Sequence, residues 1–197
     1  LKAVGFSASD LKDNGFSAKE MREGTFTAKE LKPLMYTTQQ LREAGFTAPE
    51  LKDLFTLDNL KRGGYTSSEL RSAGFYAGEM AKVGFTASEL KTAGYVPGDM
   101  RSAGYTAQAM REAGFSVKKL RAAGYLAAEL CDAAVGVDAL KAAGYLAWEL
   151  REAGRPVEEL KNVGFELAEL RAAGFSAHEL QGVGFGAEEL RAAGTSL

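Results

Sequence analysis

The sequence predicts an all-α fold, a solenoid or superhelical coil of about twenty short helices with one helix per ten-residue repeat. Two observations carry that expectation. The chain is self-similar at a period of ten from end to end, and each copy holds both the start signal and the stop signal of a helix. The unit reads Leu, Lys or Arg, a variable residue, Ala or Val, Gly, Phe or Tyr, Ser or Thr, Ala, a second variable residue, Glu. Leu170 to Glu179 is a clean copy.

Within that copy Ser176 suits an N-cap, and Glu179 three residues later completes a capping box. Phe175 and Leu180 then fall at the two positions of a hydrophobic staple. Gly174 suits the left-handed residue that ends a helix, which places Phe175 and Leu170 at the paired apolar positions of that stop. The helical part spans about six residues, too short to persist alone in water because nucleation is costly. Neighbouring units must hold it.

In order, the units begin at Leu1, Leu11, Met21, Leu31, Leu41, Leu51 and Leu60, then every ten residues from Leu70 to Leu190. The aromatic place is filled everywhere except at Val135, Arg155 and Thr195, and all eleven Phe residues of the chain stand there. A basic residue follows the leading Leu or Met in seventeen of twenty units. Irregular repeats occupy 21–59, where Gly24 comes one place early, Met35 replaces Gly, and Leu51 to Asn59 has nine residues. A tightened joint would absorb that shift of phase. A second irregular repeat occupies 130–139, with Ala134 for Gly and Val135 for the ring. Residues 1–197 otherwise read as a single continuous array without a linker.

The leading Leu, the fourth-position Ala or Val, the eighth-position Ala and the aromatic form the expected inner stripe. The charges are expected as outer stripes, and contacts are expected between adjoining units. The third position (Asp13, Glu43, Ser72, Lys82, Asn162, Gly182) and the ninth (Lys19, Pro49, Gly98, Trp148, His178) vary freely, as solvent-facing sites or a binding face would.

A hydrophobic residue every five places gives the chain a superficial resemblance to the pentapeptide-repeat proteins, whose quadrilateral β-helix needs small residues pointing inward. Lys19, Lys29, Trp148, His178 and Glu188 would have to enter that interior, and each buried unpaired charge would cost several kcal/mol. Ala, Leu, Glu, Lys and Arg with caps and a Gly stop favour helix instead. The chain is similar to decapeptide short-helix arrays of microbial repeat proteins.

Little in the sequence points to chemistry. His178 is the only histidine and Cys131 the only cysteine, so neither a His-based metal site nor an internal disulfide is available. No cofactor is implied, the glycines recur as helix stops rather than as a phosphate loop, and no enzyme activity is expected. With 24 basic and 26 acidic residues, no nucleic-acid track is expected, and no apolar run approaches a membrane span. The expected function is a structural repeat protein, part of a fibre, tube or extended spacer. Leu1 to Phe6 is an ordinary unit and the chain stops in mid-unit at Leu197, as expected either of a piece of a longer array or of head-to-tail stacking with Leu1, Phe6 and Leu197 at the contact. The alternative is a protein-interaction scaffold that uses the variable positions, with Trp148, Asp138 and Glu158 as contact residues. The partner is expected to be the chain itself or another protein, with no membrane.

Overall fold

A computed structural model describes residues 5–192 of the chain. Among them are nineteen short α-helices, one 3-10 turn and no strand. Their contacts gather into two units, Leu1–Gly104 and Tyr105–Leu197. Unit 1 holds α1 (Ala8–Asp13), α2 (Ala18–Glu23), α3 (Ala28–Leu31), the 3-10 turn Lys32–Leu34, α4 (Thr38–Glu43), α5 (Ala48–Leu51), α6 (Leu57–Arg62), α7 (Ser67–Ser72), α8 (Ala77–Lys82), α9 (Ala87–Thr92) and α10 (Pro97–Ser102). Unit 2 holds α11 (Ala107–Glu112), α12 (Val117–Ala122), α13 (Ala127–Asp132), α14 (Val137–Ala142), α15 (Ala147–Glu152), α16 (Val157–Asn162), α17 (Leu167–Ala172), α18 (Ala177–Gly182) and α19 (Ala187–Ala192). The repeat runs without interruption through Gly104 and Tyr105.

The local signals act as the sequence predicts. The Ser176 hydroxyl accepts the Glu179 N–H, and the Glu179 carboxylate accepts the Ser176 N–H at 2.7 Å. At the other end the Phe175 N–H reaches back to the Leu170 carbonyl and the Gly174 N–H to that of Arg171, the two bonds of a Schellman stop. Gly174 has φ +88°, where a Cβ is disfavoured.

The irregular joints keep this geometry at a price in strain. Gly24 is not a displaced stop: its φ is −76°, and Thr25 takes the left-handed place at φ 69°. Met35 at φ 60° and Ala134 at φ 57° do the same. Each of these three stores about 1 kcal/mol or more that glycine would not. The nine-residue unit tightens as expected. α5 is cut to Ala48–Leu51, and the Phe55 N–H bonds to the Leu51 carbonyl, four residues back where other joints span five.

Packing departs from the expected contact between adjoining units. In unit 1 the pairs are α2 with α4, α4 with α6, α5 with α7, α7 with α9, and α8 with α10. In unit 2 the second-neighbour pairs are α11 with α13, α13 with α15, α15 with α17, and α12 with α14, and adjoining helices also touch at α11 with α12, α15 with α16, and α18 with α19. Each unit is therefore two interleaved ladders, one of odd-numbered and one of even-numbered helices. The joint explains this. A left-handed residue followed by extended backbone turns the chain sharply after fewer than two helical turns, so the helix after next returns alongside.

The leading residues from Met21 to Leu190 are fully buried, and most rings and eighth-position Ala residues are buried with them. Fourth positions divide between buried (Ala44, Ala93, Ala133, Ala173) and half-buried (Ala73, Val83, Ala143, Val163). The variable third and ninth residues named above all face solvent.

Candidate functional site

The recurrent polar side chains are occupied in joining each unit to the next but one. Lys61 of α6 donates to the Val83 carbonyl at 2.7 Å, with its ammonium 4.5 Å from the centre of the Phe85 ring. Lys141 does the same to Val163 and Phe165, and Arg151 to Ala173 and Phe175. Arg22, over the Phe46 ring, also pairs with Glu50 at 3.3 Å, and Arg121, over Tyr145, pairs with Glu149 at 3.5 Å. A cation thus covers the ring and holds either the fourth-position carbonyl or the capping carboxylate of a single partner unit. Each cation over a ring contributes about 0.5–1 kcal/mol where solvent is near. The half-exposed ion pairs add less. The second-position charges, expected as outer stripes, are half-buried or exposed, and several of them also act as clamps.

Tyrosines reinforce the same spacing in the opposite direction. The Tyr65 hydroxyl donates to the Phe46 carbonyl at 2.6 Å, and Tyr36, Tyr95, Tyr125 and Tyr145 reach Phe16, Phe75, Tyr105 and Tyr125 in the same way. Burial, with help from the Glu69 charge, pushes the Tyr65 hydroxyl up to about 12, so it stays a donor at neutral pH. Gly144 has a second reason to lack a side chain: a Cβ there would stand 2.7 Å from the Arg121 guanidinium.

Sequence reasoning missed this clamp, although one signal was present. Cys131 replaces a cation, and the ring it would have covered, 24 residues on, is replaced by Arg155. Arg155 turns to its own Glu159. Burial raises the Cys131 thiol above its ordinary value, Arg155 opposes this, and Asp132 and Glu159 add to it. These surroundings favour the protonated thiol over the more nucleophilic thiolate.

Open grooves lie between successive helices of the odd ladder in unit 1. The α3/α5 groove, of 700 Å³, is lined by Arg22, Thr27, Phe46 and Glu50. The α5/α7 groove, of 620 Å³, is lined by Arg42, Thr47, Pro49 and Ser72. The α7/α9 groove, also 620 Å³, carries Ser67, Ser68, Ser88 and Thr92. In unit 2 the matching α15/α17 groove shrinks to 150 Å³ beside Trp148.

Of the contact residues proposed from sequence, Trp148 lies on α15 of the odd ladder, whereas Asp138 on α14 and Glu158 on α16 belong to the even one. All three are exposed, but the fold does not gather them into one site. Phe6 is 53% exposed in unit 1. Leu1 and Leu197 lie outside the described residues. Among the described residues no cluster of His, Cys, Asp and Glu could hold a metal ion, and no helix is long and apolar enough to cross a membrane. His178 is exposed at its ninth position.

The family description "Decapeptide repeat region" matches residues 1–67, 54–127, 104–168 and 124–197, which together cover the chain. The chain belongs to that family. Neither a curated protein nor a solved structure matches it. In this decapeptide repeat protein six of the ten positions now have physical roles: a buried Leu, a clamping cation, a left-handed stop, a clamped ring, a hydroxyl cap and its Glu.

Proposed function

We propose that this decapeptide array is a non-enzymatic structural scaffold, a rigid frame that holds varied side chains in a fixed order for another protein. One observation carries the reading. The residues that recur are spent on the frame, as buried Leu, clamp, stop and capping box, while the third and ninth positions that vary are exposed. Among the described residues, no buried side-chain polar atom lacks a partner, so no unsatisfied group waits inside for a ligand. Near-balance of charge disfavours nucleic acid as the partner.

The test is alanine replacement of Trp148, Asp138 and Glu158 in the full chain, with helicity followed by circular dichroism and capture of a binding partner as the readout. Loss of capture at unchanged helicity supports a presenting frame. Retained capture sinks the assignment to those positions.

A second reading is head-to-tail stacking of copies into a fibre or tube. The clamp favours it, because cation and ring lie on different units and the contact is heterologous, the kind that propagates when a second copy supplies the partner unit. Electron microscopy of the full chain separates the readings: filaments support stacking, and uniform monomers the scaffold.

A further inference from the structure

The seventh position of the repeat is where most helices receive a hydroxyl cap, but α13 and α15 have Leu126 and Leu146 there, 62% and 50% exposed. Their backbone N–H groups still reach Glu129 and Glu149, but no side-chain oxygen answers the helix. A serine at either place would satisfy one more backbone donor and remove an apolar side chain from water. The leucine side chains therefore supply no cap to the frame. They stand one packing step apart on the odd ladder, since α13 packs on α15. Trp148, 48% exposed, projects from α15 beside Leu146 over the shallow groove completed by Glu169, Ala172 and Ala173 of the α17 repeat.

The charge carried by the three helices themselves is mainly negative, although Arg121 of the α12 repeat pairs with Glu149 and Arg155 acts on Cys131. From Leu126 to Asp132, Leu146 to Glu152 and Glu166 to Ala172 there are six carboxylates, Glu129, Asp132, Glu149, Glu152, Glu166 and Glu169, against two guanidiniums, Arg151 and Arg171. That is four negative charges net on three helices of a chain whose total is −2. Cys131 contributes by standing where the repeat has a cation. Asp132, Glu152 and Glu166 are exposed.

We infer that the odd ladder of unit 2, from α13 to α17, docks a basic amphipathic segment of another protein, whose apolar side chains cover Leu126, Leu146 and Trp148 while its Lys or Arg residues face Asp132, Glu152 and Glu166. This rests on the scaffold reading and names the chemistry of its partner. Charge complementarity selects that partner: the carboxylates repel an anionic membrane or a nucleic acid, and a wholly apolar partner would leave them desolvated and unpaired. An aromatic anchor within an apolar patch, rimmed by charge, is the arrangement from which interface affinity is drawn.

Trp148 is the only tryptophan, so its emission reports this surface without a label. The full chain is titrated with a synthetic amphipathic peptide of Leu and Lys, with a Leu/Glu peptide of equal length, and with zwitterionic and anionic vesicles. The expected result is a saturable blue shift with the Leu/Lys peptide alone. Affinity should fall about tenfold in the double variant Leu126→Ser/Leu146→Ser, which keeps Trp148 and regains two caps, and about as much in Asp132→Asn/Glu152→Gln/Glu166→Gln. No saturable shift, or unchanged affinity in either variant, overturns the proposal. So does an equal or stronger response to the Leu/Glu peptide, and a shift with vesicles would reassign the surface to lipid. Failure here is separable from failure of the scaffold reading, which is tested by partner capture and also involves Asp138 and Glu158 of the even ladder.

Discussion

Unit 1 and unit 2 are built from the same ten-residue rule but spend their departures from it differently. In unit 1 the departures lie in the joints: Thr25 and Met35 are held left-handed, and the Leu51 to Asn59 repeat is tightened. A Ser or Thr precedes every helix of unit 1 but α8 and α10, where Tyr76 and Val96 stand exposed, and its odd ladder keeps three open grooves. In unit 2 the joints are nearly uniform, Ala134 being the one non-glycine held left-handed among the described residues, while the caps are given up. Leu126, Gly136, Leu146, Pro156 and Glu166 stand in succession where a hydroxyl is expected. A repeat array tolerates either economy because each helix depends on few neighbours. Altered caps change what the frame shows to solvent, and so does one strained joint, where Met35 is 87% exposed.

The largest expected effect tests whether the frames are equivalent. Phe85→Ala in unit 1 and Phe165→Ala in unit 2 remove rings in matching places, each buried under a lysine 4.5 Å away. Each should destabilise by about 3–5 kcal/mol in denaturant titration. Hydrogen exchange should show Phe85→Ala loosening α7 and α9 first; protection lost evenly over the chain would contradict ladder packing. Next in size is a contrast within unit 2. Gly154→Ala has open space and meets only the left-handed penalty of about 1–2 kcal/mol. Gly144→Ala meets that penalty and also displaces Arg121 from Tyr145, so it should lose more stability. Equal losses would mean that the clamp contributes nothing.

Smaller effects should sharpen the difference between units. Met35→Gly and Thr25→Gly should stabilise unit 1 by about 0.5–1 kcal/mol each by relieving positive φ, and Leu146→Ser should stabilise unit 2 by a similar amount by restoring a cap. Thermal denaturation of the three variants checks this, and a lowered midpoint in any of them contradicts the corresponding account. Acid should separate the units more gently. Cap hydrogen bonds from Ser17 hold the Glu20 carboxyl below its ordinary value. For Glu50 and Glu69 burial pushes upward, but Thr47 with Arg22, and Thr66 with Arg42, outweigh it. Glu89 is lowered chiefly by the Thr86 N–H, and in unit 2 Glu179 is lowered by Ser176. A carboxyl lowered in the folded state stabilises fully above the unfolded value of about 4.3 and loses that contribution as pH falls through the folded one. Unit 1, with four of these glutamates, should therefore lose exchange protection in acid before unit 2; the reverse order would contradict the capping account.

Much of this was legible in one copy of the repeat. Ser176, Glu179, Gly174 and Phe175 state the cap, the stop and the six-residue length, because those interactions are local and depend on spacing of five residues or fewer. The exposure of Trp148 and His178 followed from free variation at their position. The clamp was not legible, because a strict repeat offers the same Lys and the same Phe to every possible partner. Only where the pattern fails jointly, at Cys131 and Arg155, does the sequence say which cation meets which ring. The Leu126, Leu146 and Trp148 patch was hidden for the same reason: residues twenty apart look no closer than residues ten apart until the ladders are known.

Packing on the second neighbour also gives the chain a parity. Gain or loss of two repeats leaves every later side chain on its own ladder, whereas gain or loss of one transfers all of them to the other. Excision of Leu130 to Ala139 would leave the flanking repeats in phase, yet Leu126 and Leu146 would then precede consecutive helices and no longer stand one packing step apart. For this protein a change can be silent to folding and still erase what is displayed, so the unit in which its surfaces are inherited is twenty residues, not ten.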